Sequence, residues 1–127
     1  MIIDNQLLDQ VSGQAKESER LRMNFNLHET LDAKAQRLLN ALEVGTVLPR
    51  HRHTAETYIL LRGHINVMFY NADGGEMERY ELYPGNGIYG VHIPKGQWHT
   101  LEVLEPSAIF EVKDGPYMPL DKEDILE

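Results

Sequence analysis

The chain has 127 residues, enough for one domain with a single hydrophobic core, and its 42% hydrophobic and 25% charged content is ordinary for a globular protein. A formal charge of −8 opposes binding to nucleic-acid backbones or anionic lipid, and the absence of cysteine removes disulfides, thiolate metal sites and thiol nucleophiles. Any metal must be held by nitrogen and oxygen.

Asp4 and Asp9 interrupt the first ten residues, which read as neither a signal peptide nor an anchor, so a cytoplasmic protein is expected. Leu7, Leu8, Val11 and Ala15 recur at helical spacing with Asp4 in position to cap, predicting a short amphipathic helix over 4–18. From Arg20 to His28 polar and apolar residues alternate without a break, the pattern of a half-buried strand. Arg20, Arg22, Asn24, Asn26 and His28 share one face; Leu21, Met23, Phe25 and Leu27 share the other. Propensity leaves residues 33–42 open between helix and strand. Six short runs follow, at 57–61, 65–70, 77–82, 88–93, 98–104 and 108–113, each bounded by turn formers such as Arg62-Gly63, Asp73-Gly74-Gly75, Pro94-Lys95-Gly96 and Glu105-Pro106-Ser107. Strands at this spacing predict an all-β sandwich or barrel. Asp121 can cap a last helical turn.

His51 and His53 are two apart, so on one strand their rings project from the same face and can reach a common ion at about 2.0 to 2.1 Å. A pair of this kind also occurs on solvent-facing strands, and the spacing alone does not choose. Gly45, His51, His53, Glu56 and Gly63 resemble the first cupin motif, a Gly, five residues, His-x-His, three or four residues, Glu, six residues and Gly. Pro94-Lys95-Gly96-Gln97-Trp98-His99 resembles the second. The resemblance implies a single cupin double-stranded β-helix, a jelly-roll barrel over 20–127 behind a helix and lead-in at 1–19. It assigns one divalent metal ion (Zn, Fe, Mn, Ni or Co) to His51, His53, Glu56 and His99.

Two positions depart from the pattern. Only Thr54 and Ala55 separate His53 from Glu56, and in an unbroken strand a separation of three points Glu56 away from His53, so ligation requires a turn or bulge between them. Otherwise Glu56 is an acceptor that orients a ligand histidine. Val103 stands where the second motif often has Asn.

The chain is also similar, nearly end to end, to the WbuC-type cupin metalloproteins found with bacterial surface-polysaccharide biosynthesis genes. Arg20-x-Arg22-x-Asn24-x-Asn26-x-His28, Gln36 to Leu42, Trp98-His99-Thr100-Leu101 and Glu111-Val112-Lys113-x-Gly115-Pro116-Tyr117 carry that similarity. It favours a strand over Gln36 to Leu42. It implies a metal-dependent enzyme acting on a carbohydrate or sugar-derived anion, isomerase- or epimerase-like or a dioxygenase, with a non-catalytic sugar-binding cupin and an Fe(II) oxygenase as alternatives. Arg20, Arg22, Asn24 and His28 become substrate-binding residues if their face lines the barrel mouth, and outward-facing polar residues if it does not. Tyr58 shares parity with Glu56, and the similarity adds Lys113. A small sugar-like or anionic ligand, a homodimer, and neither nucleic-acid nor membrane partners complete the expectations.

Overall fold

A computed structural model describes residues 1–126. The predicted N-terminal helix is α1 (Asn5–Glu17), capped by the Asp4 carboxylate, which accepts the Leu7 N–H at 3.0 Å. Its Leu8, Val11 and Ala15 are buried, against Leu39, Ala41 and Ala108 of the sheet beneath and with Met23 and Phe25 alongside. The strands are β1 (Arg22–Asn26), β2 (Ala35–Leu42), β3 (Arg50–His51), β4 (Glu56–Tyr70), β5 (Glu76–Leu82), β6 (Gly90–Ile93), β7 (Trp98–Asp114) and β8 (Ile125–Leu126). The segment that propensity left open is therefore a strand.

All named pairings are antiparallel and belong to one sheet: β1-β2-β7-β3-β8 in order, with β4 paired to β5, β6 and β7. This is the jelly-roll barrel behind a single short helix. Inside it Leu42, Tyr58, Leu60, Ile65, Val67, Phe69, Leu82, Ile93, Leu101, Val103 and Ile109 form the main core. The apolar face of β1 packs beneath α1, which turns Arg22 and Asn24 away from that contact and towards the barrel mouth.

Two differences from the strand pattern have local causes. The alternation beginning at Arg20 starts two residues later, because Leu21 adopts φ 56°, a left-handed conformation that resets side-chain direction and separates Arg20 from Arg22. The runs 57–61 and 65–70 are one bent strand, β4, and 98–104 and 108–113 are one bent strand, β7. Where turns were expected, at Arg62-Gly63 and Glu105-Pro106-Ser107, the paired strands bend together through register shifts. At that corner Ser107 Oγ accepts the His64 N–H at 3.0 Å and donates to the Glu105 carbonyl at 2.7 Å. Gly63 sits opposite with φ 102°, and a Cβ there would collide with both the backbone and the side chain of Ser107.

Gly63→Ala is expected to lower the unfolding free energy by about 2 kcal/mol or more, since it combines backbone strain with a steric clash. Urea denaturation of the variant beside the wild type measures it, and an unchanged midpoint would mean that the corner relaxes freely.

Candidate metal centre

The two histidine motifs meet through strand pairing. His51 of β3 stands directly opposite His99 of β7, and residues opposed in an antiparallel pair project from the same face, so their rings lie 4.4 Å apart between centroids. Past the end of β3 the His53 ring comes to 4.8 Å from that of His51 and 5.5 Å from that of His99. One potential ligand atom from each histidine can be chosen so that all lie within 4.8 Å of one another. Such a group can hold a metal ion.

The shortened spacing to Glu56 is resolved by the break that parity demands. Residues 52–55 leave strand geometry, with a bend at Thr54, before β4 begins at Glu56. Bonds to three other parts of the chain hold this loop: the Arg52 N–H donates to the Asp124 carbonyl at 3.0 Å, the Gly96 N–H to the His53 carbonyl at 3.0 Å, and the Thr54 hydroxyl to the Asp114 carbonyl at 2.6 Å. Arg52 also pairs with Asp124 at 3.2 Å and lies 4.4 Å over the Trp98 ring, on the face of β7 opposite His99. Glu56 emerges 1% exposed, with Oε2 2.7 Å from His53 Nε2 and Oε1 3.4 Å from His99 Nε2.

These approaches do not have hydrogen-bond geometry. His53 Nε2, His99 Nε2 and both Glu56 oxygens are buried atoms without a hydrogen-bond partner. Backbone carbonyls hold two of the rings. His51 Nδ1 lies 2.7 Å from the Pro49 carbonyl and His99 Nδ1 2.8 Å from the Gln97 carbonyl. A carbonyl only accepts, so each Nδ1 carries a proton, and the neutral form of each ring keeps its Nε2 lone pair for ligation. Lone pairs directed at one another in a buried site suit a cation, and backbone carbonyls on the far ring nitrogens are the usual support for metal-binding histidines. Burial, reinforced by His99, lowers the His51 pKa to about 4, so its ring is neutral near pH 7. His53 is lowered mainly by burial as well. For Glu56 burial acts upward, but contact with His99 and the charges of both neighbouring histidines prevail and bring it down to about 2, so it is ionised. Neutral imidazoles and a carboxylate are the protonation states a divalent ion needs.

A cavity of about 140 Å³ opens above this cluster, lined by His51, His53, Arg22, Asn24, Tyr58 and Lys113 among others. It unites four of the six side chains expected to bind substrate. Arg20 lies outside it, displaced by the left-handed turn at Leu21, and serves the fold through its carbonyl, which accepts the Thr46 hydroxyl at 2.7 Å. His28 also lies outside it, two residues beyond the end of β1, where its ring meets the backbone of Arg37. Tyr58 keeps its proton, because burial and the Glu56 and Glu111 carboxylates push its hydroxyl well above the usual range.

Glu111 also lines the cavity and was not anticipated as a site residue. It is 6% exposed, lies opposite Tyr58 in the β4–β7 register, and meets Lys113 Nζ at 3.4 Å. Its signal in the sequence is an isolated acid within an apolar strand, two residues from Lys113 and therefore on the same face. Burial and the Glu56 charge raise its pKa against the opposing pull of Lys113 and Asn40.

Residues 3–82 match the family model of a domain of unknown function, DUF6016. No curated protein has a significantly similar sequence. Among solved structures, a conserved protein of unknown function from Streptococcus pyogenes, SPY1581, superposes with TM-score 0.64 at 14% identity, over 93% of this chain and 90% of that one. A cupin superfamily protein from Desulfitobacterium hafniense, DSY2733, gives 0.60 at 13% identity over 73% and 76%. KdgF from a Halomonas species gives 0.59 at 18% identity over 76% and 82%. Identities this low show the fold alone, which is that of the cupins.

Removing one imidazole, as in His51→Ala or His99→Ala, is expected to weaken divalent-metal binding by at least about 100-fold, beyond the range for loss of an outer supporting group. Wild type with an ion at about 100 times its Kd gains about 2.7 kcal/mol of stability. Calorimetric titration and thermal melts measure both, with His92→Ala as the surface control. Equal affinity in His99→Ala and wild type would exclude the cluster as the site.

Proposed function

We propose that this chain, which belongs to the DUF6016 family of domains of unknown function, is a metal-dependent enzyme of the cupin fold acting on a carbohydrate or a sugar-derived anion. The observation that carries this reading is that a cluster of buried unpartnered metal-ligating atoms reaches, through His53, a cavity lined by cationic and amide side chains. His51, His53 and His99, joined by Glu56, would hold the ion. Bound there, a divalent ion supplies Lewis acidity to polarise a carbonyl or vicinal hydroxyls.

The remaining roles belong to the chain. Arg22 reaches over the cavity, its guanidinium donating to the Val47 carbonyl at 3.1 Å, and it and Lys113 counter the protein's overall negative charge where an anionic ligand would enter. Asn24, Asn40 and the Tyr58 hydroxyl offer donors and acceptors suited to sugar hydroxyls. Glu111, buried across from Tyr58 with its pKa raised, is the group suited to hold and return a proton beside the ligand. The similarity to WbuC-type proteins supports a place in bacterial surface-polysaccharide synthesis, and the donor-rich cavity is consistent with that substrate class.

Metal-loaded protein is to be assayed against nucleotide sugars, sugar phosphates and uronates. A turned-over substrate is expected to lose about 100- to 10,000-fold in kcat with Glu111→Gln, the range for a proton-transfer group, while metal affinity stays unchanged. Tight ligand binding without conversion of any bound compound would replace the enzyme by a sugar-binding protein. Loss of metal together with activity in Glu111→Gln would remove the proton-transfer role.

A further inference from the structure

A second cavity, of about 280 Å³, adjoins the first and shares Asn24 and Lys113 with it. His28, Asn26, Gln36 and Tyr117 form much of the rest of its wall. His28 is only 7% exposed, so its chemistry there is set by its two nitrogens.

The first nitrogen has a structural task. At the end of β1 the Leu27 N–H donates to the Arg37 carbonyl at 2.7 Å, and the Arg37 N–H on the same strand edge donates to His28 Nδ1 at 3.0 Å. The ring thus supplies the acceptor that a further strand residue would have given. Nδ1 also lies 3.0 Å from the Arg37 carbonyl, but that carbonyl already accepts the Leu27 N–H, whereas the Arg37 N–H is directed at the ring; with Nδ1 accepting it, the neutral ring carries its proton on Nε2. That Nε2 is buried and has no hydrogen-bond partner. An unmet buried donor is costly, and a ligand that accepts from it recovers that cost.

Other groups around the cavity share the same polarity. Lys113 brings a positive charge, with the Glu111 carboxylate 3.4 Å from its Nζ as the anion already on it. Asn24 and Asn26, on the exposed edge of β1, add amide N–H groups. Gln36 donates inward to the Ala33 carbonyl at 2.8 Å and so fixes the wall instead of competing for a ligand.

We propose that this cavity is an oxyanion-binding site, taking a phosphate or carboxylate group through His28 Nε2–H and Lys113. The site needs no metal. Its occupant is either a free anion or the charged end of a ligand whose other end lies in the metal cavity, since Lys113 and Asn24 border both.

The two ring nitrogens can be tested separately. His28→Asn places an amide oxygen near the position of Nδ1 and can keep the acceptor for Arg37 while removing the Nε2 donor; His28→Gln restores a donor near Nε2. Inorganic phosphate, titrated into metal-free protein and followed by calorimetry and by the ¹⁵N shifts of the His28 ring, is expected to bind and to move Nε2–H. His28→Asn and Lys113→Met are each expected to lose about tenfold in affinity, as for one charge-assisted bond, with His28→Gln closer to wild type. Glucose 1-phosphate in metal-free and metal-loaded protein separates the sources: tighter binding only with metal identifies an extended ligand, and equal binding a free anion. Phosphate affinity within about twofold of wild type in both His28→Asn and Lys113→Met, a ring proton found on Nδ1, or no phosphate binding would each overturn the proposal.

Discussion

Four polar atoms, the Nε2 atoms of His53 and His99 and both oxygens of Glu56, are buried together in this barrel without hydrogen-bond partners. A fold does not keep such a group lightly, because each unmet buried atom costs about 1–3 kcal/mol and a buried charge costs more. The surroundings hold them there. Carbonyls of Pro49 and Gln97 fix two of the rings, the 52–55 loop is tied to three other parts of the chain, and strand pairing places His51 opposite His99. The cluster is rigid before any ion arrives, so binding one requires little reordering of side chains.

The rest of the architecture can be read as service to this centre. The bend shared by β4 and β7 at Gly63 and Ser107 lets two long strands run past the cluster and still close the barrel. Their far ends deliver Glu56 and Lys113 in register with each other, and Tyr58 with Glu111. Helix α1 covers the apolar face of β1 and β2, and with that face buried the polar face of β1 can border the cavity.

Electrostatics separates the cavity from the protein as a whole. The chain carries a formal charge of −8, yet Arg22 and Lys113 stand at its cavity walls. In the proposed function this contrast would let a small anion reach cations that a polyanion, repelled by the whole surface, would not. Two carboxyl groups inside, Glu56 and Glu111, are driven in opposite directions: histidine contact keeps the first ionised, while burial near the first favours the protonated form of the second. The proposed proton-transfer role of Glu111 rests on this contrast between the two carboxyl groups.

Much of this was legible in the order of residues. Hydrophobic period marked the helix and most strands because alternation sets side-chain direction directly, whereas the centre was pointed to by the resemblance of two stretches to the cupin motifs and not by the His51–His53 spacing alone. Whether Gln36 to Leu42 was helix or strand could not be read from propensity, since its partners, Asn24 and Ile109 for Asn40 among them, lie far away in the chain. Nor could alternation foresee that Leu21 would take a left-handed turn and carry Arg20 out of the cavity, or that His28 would spend one nitrogen on the backbone of Arg37. Glu111 was one acid among twenty. Only the closing of the barrel, which sets β7 beside both β2 and β4, decided that this one would be buried in the cavity beside the metal-ligating cluster.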